Sequence, residues 1–167
     1  MEGNVSLRTS HGDVDLARID GERLEIRSSH GDVKGELLAG RQVDVQTSHA
    51  DIEFDVVDSG QFSARTSHAD VEIGSLRGET RIRTSHGNIS VDMSGGAGAD
   101  LRTSHGNVIV YMDGKSGMDV DLRGKRVNVA RGFQLDADIS EDDISGRING
   151  GGPLLRARTS HGRIDIR

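Results

Sequence analysis

The phrase RTSHGDV, Arg8 to Val14, returns as RSSHGDV, QTSHADI, RTSHADV, RTSHGNI, RTSHGNV and RTSHGRI. Every histidine of the chain sits in it: His11, His30, His49, His68, His86, His105 and His161. Counted from the residue before Ser-His, the positions Thr9, Ser28, Thr47, Thr66, Thr84 and Thr103 lie 19, 19, 19, 18 and 19 residues apart, and Thr159 follows 56 later. A repeat of this length marks a chain built by stacking equivalent units, each too small to bury a core alone. The long gap holds about three periods. Two degenerate copies are therefore expected within it, at Leu122 and Ile139, with Gly124 and Glu141 in place of His; the whole would make nine turns.

The apolar residues fall into the same register. Four and two before the reference stand pairs such as Val5 and Leu7, Leu24 and Ile26, Val43 and Val45. Five and seven after it stand Val14 and Leu16, Ile52 and Phe54, Val71 and Ile73, with Gly35 and Gly146 as gaps. Alternation of this kind predicts strands with one buried face. Aromatic residues are 2% of the chain and Trp is absent, while Gly numbers 23. A compact globule would lean on large rings, so thin repetitive β-structure is expected instead. The prediction is an all-β chain without helices: a single parallel β-solenoid (β-helix) domain over residues 1–167, right-handed, about nine turns of roughly 19 residues, forming a rod roughly 40 Å long. The stretches IDGER, LAGRQ, VDSGQ, SLRGE and GGAGA read as return loops. A meander of hairpins would run successive copies in opposite directions and would not superpose them.

The corner S-H-G-D must shift the alternation by one, because Thr9 and Val14 have opposite parity. The shift leaves open whether His11 points in or out. Thr should form an inward hydroxyl column able to hydrogen-bond along the stack. The Asp/Asn column (Asp13, Asp32, Asp51, Asp70, Asn88, Asn107) should cap the bend through side-chain-to-backbone bonds. His11, His30, His49, His68, His86 and His105 become an unbroken ladder with copies ~4.8 Å apart. Charging such a ladder is unfavourable, since unit charges at ~5 Å repel by roughly 1 kcal/mol in water and roughly 3–4 kcal/mol at an effective dielectric of about 20. It is expected to be largely neutral at pH 7 and to lose stability on acidification.

Ser-His-Asp within four residues does not make a hydrolase. Extended neighbours face opposite ways, and seven equivalent copies along a rod are not one shaped pocket; no enzyme and no catalytic residue is expected. The six consecutive histidines from His11 to His105 are candidate metal ligands for Zn, Ni or Cu, although a corner-forming stack suffices to explain them. GGxGxD is absent, which argues against a calcium β-roll, and the inward Thr column argues against an ice-binding face. The arginine column Arg8, Arg27, Arg65, Arg83, Arg102 and Arg158, with Gln46 in one turn, reads as a solvated face, or as a basic stripe for a polyanion. A net charge of -6 makes nucleic acid an unsuitable partner. No apolar run approaches the ~18 residues of a membrane span, no leader peptide opens the chain, and no cysteine fixes a redox compartment. The chain begins inside a repeat, as a piece of a longer protein would.

The repeated T-S-x-G-D-[VI] followed by alternating Val or Ile resembles a widespread bacterial family named for adhesins, a β-strand-repeat domain of unknown function, over Val5 to Arg167. Where that family often carries Gly or Ser, this chain has His. The resemblance implies a parallel solenoid at or near the cell envelope, while the sequence itself leaves envelope and cytoplasm open. A scaffold or binding module for a protein or cell-surface partner is the function expected first. Self-association through the solenoid ends comes second, because MEGNVSLR and GRIDIR both look like uncapped strands that could stack into filaments, as in bactofilin-like solenoids. The locally basic KSGMDVDLRGKRVNVARGF reads as a further partner site.

Overall fold

Each coil bends at corners that follow one rule. Along residues 14–28 the side facing the core is taken by Val14, Leu16, Ile19, Gly21, Leu24, Ile26 and Ser28. Between them, three consecutive pairs face away: Ala17–Arg18, Glu22–Arg23 and then Ser29–His30. In a straight strand alternate residues share a face. Two outward residues in a row shift that parity and let the chain turn while each side still presents its apolar residues inward. The structure, a computed structural model, describes residues 3–167. Residues 1–2 of the domain expected over 1–167 therefore lie outside the described residues. No helix occurs among the described residues, and all strands join one sheet around one core.

The first strands are β1 (Asn4–Arg8), β2 (Val14–Arg27), β3 (Val33–Gln46), β4 (Ile52–Arg65) and β5 (Val71–Arg83). They pair in parallel, like on like: Val5 opposite Leu24, Leu24 opposite Val43, Val43 opposite Phe62. The stretches IDGER, LAGRQ, VDSGQ and SLRGE are not loops. They lie inside β2 to β5, because their glycines and charged residues only form the corners. Between those corners Ile19, Leu38, Val57 and Leu76, 19 residues apart, make a third inward column; the last three are fully buried. The single 18-residue interval is absorbed at Gly78, where the β4–β5 ladder skips Ser59 and Gly60. Gly78 has φ +97°, and a Cβ there would lie 1.5 Å from the Ser59 carbonyl oxygen; only glycine fits.

GGAGA is a turn, as its composition predicts. It joins β6 (Ile89–Asp92) to β7 (Ala99–Thr103), which is followed by β8 (Val108–Tyr111). These coils lack the third strand, and Met93 and Met112 are buried where it would have packed.

Beyond Tyr111 the chain stops stacking in sequence order. The remaining strands are β9 (Met118–Arg123), β10 (Arg126–Val129), β11 (Leu135–Ile139), β12 (Asp143–Ile148), β13 (Leu154–Thr159) and β14 (Arg163–Ile166). β9 and β10 leave a space, and the last copy fills it: β13 pairs in parallel with both β7 and β9, and β14 with both β8 and β10. The count of nine turns is thus corrected to about six consecutive ones, Asn4 to Tyr111, followed by this intercalated copy. The expected eighth turn, around Ile139, is not a coil. Its SEDD segment lacks the Thr and Gly of the corner, and Ser140 N–H instead bonds the Asp143 carbonyl at 2.8 Å in a tight reversal. β11 and β12 form an antiparallel hairpin, and β12 lies antiparallel on β9. One other expectation falls with it: GRIDIR is an interior strand. The far end of the stack carries the hairpin on β9, with β11 as its outer strand, and β10, which pairs with β14 alone.

Candidate functional site

The repeated corner is built by its own side chains. Thr faces inward, Ser and His face outward, Gly or Ala faces inward and Asp or Asn outward. The Thr hydroxyl does not bond its neighbours in the column. It accepts the N–H of the corner glycine, as at Gly106 to Thr103 (3.1 Å), and donates to a corner carbonyl, as from Thr103 to Gly87 O (2.9 Å) in the preceding coil. The Asp/Asn column bonds to backbone as expected, but between coils. Each Oδ1 accepts the N–H of the equivalent residue in the next coil, from Asp32 N–H to Asp13 (3.0 Å) through Asn107 N–H to Asn88 (2.9 Å), and finally Arg163 N–H to Asn107 (3.0 Å). Only an acceptor oxygen is required, so Asp and Asn serve alike. Asp51→Asn is therefore expected to be neutral, whereas Asp51→Ala, which strips the acceptor from Asp70 N–H, should cost about 1 kcal/mol. Urea unfolding of the two variants checks this.

The outward imidazoles stack face to face. Successive centroids from His11 to His105 are 5.0, 5.1, 4.9, 4.9 and 4.7 Å apart, with planes within 5°. His161 continues the column on His105 at 4.5 Å and 1°, because the last copy is intercalated beside the sixth. Sequence spacing alone left it isolated. All seven residues are exposed.

The stack constrains metal binding. Parallel rings in one orientation hold equivalent nitrogens as far apart as their centroids, and two nitrogens on one zinc at about 2.1 Å can be no more than about 4.2 Å apart. Adjacent rings would have to leave the stack to share an ion. Among the described residues no group of three or more His, Asp or Glu side chains is placed to hold one.

Beside the imidazoles runs the arginine column. Its N-terminal part is charge-balanced, with Arg8 and Arg27 both on Glu25. At the distal end Asp121 receives Arg156 at 3.2 Å and Arg158 at 3.0 Å. Burial works against the charged form of Asp121, yet these guanidiniums outweigh it and hold its carboxyl below the usual range. The basic stretch read as a partner site is split: its KSG lies in a turn, and MDVDLR and RVNV are β9 and β10 within the stack.

A parallel β-solenoid with a repeated outward Arg-Ser-His edge defines a class by architecture alone. The chain belongs to the Toastrack DUF4097 family, a domain of unknown function, whose family model matches residues 2–167. The adhesin name suggested by the motif is not part of that description. No curated protein and no solved structure matches the chain.

Proposed function

We propose that the domain is a non-enzymatic, adhesin-like scaffold that presents its repetitive edge to a protein or cell-surface partner. One observation carries this reading: the same outward Ser and His recur in seven stacked copies, so a partner with repeated epitopes gains affinity by engaging several copies at once. The test is co-sedimentation with bacterial envelope fractions. The protein is expected to sediment with them, and His49, His68 and His86 replaced together by Gln should weaken this stepwise with the number replaced. A folded protein that stays in the supernatant with every fraction would rule the reading out.

Self-association is a second reading, favoured by the first coil. β1 pairs only with β2 among the described residues, and Val5, Leu7, Val14 and Ile19 are half-buried where Leu24, Ile26, Val33 and Leu38 of the next coil are buried. At the far end β11 pairs only with β12 and β10 only with β14 among the described residues, so each end of the stack offers a strand edge. Light scattering over a concentration series should show species that grow with concentration; a strict monomer would contradict this.

A further inference from the structure

We propose that the distal half of the arginine face is a docking track for a linear polycarboxylate, an acidic polysaccharide of the polyuronate kind, lying along the solenoid axis. This deepens the scaffold reading and rests on it.

The face carries a local cationic excess in a chain of net charge -6. Arg65, Arg83, Arg102, Arg158 and Arg123 stand directly opposite one another across five neighbouring parallel strands. Like charges placed opposite in this way are destabilising. Arg81 and Arg156 add to them one position inward along the same face, at either side of Asp100. The carboxylates paired with these arginines are Asp100, on Arg102, and Asp121 and Asp143 at the far end; Asp44 and Glu79 line the same face without an ion pair to it. Among the described residues no carboxylate lies within ion-pair distance of Arg65, Arg81 or Arg83. The repeat does not require this, because the equivalent rows nearer the N-terminus carry Glu25, Asp44 and Gln46.

The arrangement selects a polymer. Guanidiniums repeat along the axis at the strand spacing, ~4.8 Å, about one sugar ring apart, and each offers a planar fork that matches a carboxylate. Along the same face runs an open groove of about 590 Å³ whose lining includes Gln42, Gln61, Ser63 and Glu79, amide, hydroxyl and carboxylate groups suited to sugar hydroxyls. Among the described residues no Phe or Tyr ring is exposed on this face, and the imidazoles beside it already cover one another's faces, so stacked bases of a single strand find no free platform. Leu154 is the exposed large apolar side chain at the groove, too little to anchor a peptide. The backbone groups beneath are engaged in the parallel ladders, which leaves none for an added peptide strand.

The test is calorimetric titration of the whole chain with oligogalacturonate at about 50 mM and about 300 mM salt, against polyglutamate, oligo-dT and neutral dextran. Oligogalacturonate is expected to bind, more weakly at high salt. R81Q/R83Q should lower the affinity by about tenfold or more, and R18Q/R131Q, on exposed arginines elsewhere, should leave it unchanged. Circular dichroism confirms that the variants fold. Absence of oligogalacturonate binding, equal binding by R81Q/R83Q, or tighter binding of polyglutamate or oligo-dT overturns the proposal. Loss of this binding while the protein still sediments with envelope fractions refutes the polyuronate alone; loss of both refutes the scaffold reading with it.

Discussion

Replacing Phe54 with alanine is expected to destabilise the protein by about 4 kcal/mol and to lower its melting temperature by about 10 °C. Phe54 is 1% exposed and is one of two phenylalanines fully inside a coil core made otherwise of Val, Ile, Leu, Ala and Met. Its ring fills more than its own place. Gly35, the gap in the second apolar column, lies one coil below it in direct register, and a Cβ on Gly35 would sit 3.0 Å from two atoms of the ring. The aromatic side chain of one coil thus occupies the space left by the absent side chain of the coil beneath. Truncation empties both places, and the stacked strands on either side, bonded at fixed spacing, cannot close in to fill the void. The cost should therefore approach the upper part of the Phe→Ala range. Ile73→Val, in the same column one coil further on, should cost about 1 kcal/mol. Urea unfolding of the pair checks the contrast, and equal effects would mean that the ring of Phe54 is not packed on Gly35.

The Gly35 gap shows what the sequence could and could not convey. Its column was legible because 19-residue spacing superposes Leu16, Gly35, Phe54 and Ile73; that the gap is filled from above was not, since it depends on the reach of one ring. The third column, Ile19, Leu38, Val57 and Leu76, was present in the spacing too, but the adjacent glycines and charged residues carry the usual signature of loops. They are corners of a coil, and a corner uses such residues without ending the strand. The direction of the histidines was undetermined because a shift of parity can fall at either of two residues; the Thr hydroxyl bonded to the corner glycine N–H fixes it. The Asp/Asn acceptor column followed from local chemistry and needed no long-range information. The position of the last copy did need it. Nothing in RTSHGRI says that it lies beside RTSHGNV, 56 residues earlier, rather than beyond ISEDDI.

Deletion of residues 154–167 is expected to unfold residues 118–148 as well, leaving the six consecutive coils intact. In a solenoid stacked in sequence order the loss of the last copy would only expose the previous one. Here the last copy is the layer that joins two parts: β9 has β13 as its parallel neighbour, β10 pairs with β14 alone, and the hairpin of β11 and β12 is attached through β9. Removing β13 and β14 leaves β9 and β10 a full strand spacing from β7 and β8. Closing that space would bring Asp121 over Asp100 and Arg123 over Arg102, by the register both strands share with β13, and like charges directly opposite oppose it. It would also forfeit the bonds of Arg156 and Arg158 to Asp121. The coil of β9 and β10 has Gly124 where the register puts Thr, next after Arg123, and Lys125 where it puts Ser, so it lacks the Thr-to-glycine bond that would seat it on the sixth corner. Hydrogen exchange read by mass spectrometry distinguishes the outcomes: amides of β9 to β12 should exchange as in an unfolded chain while those of β2 to β5 stay protected. Continued protection of β9 to β12 would show that the last copy is an addition to the stack, and that its place between the sixth coil and the hairpin is not what holds the distal end together.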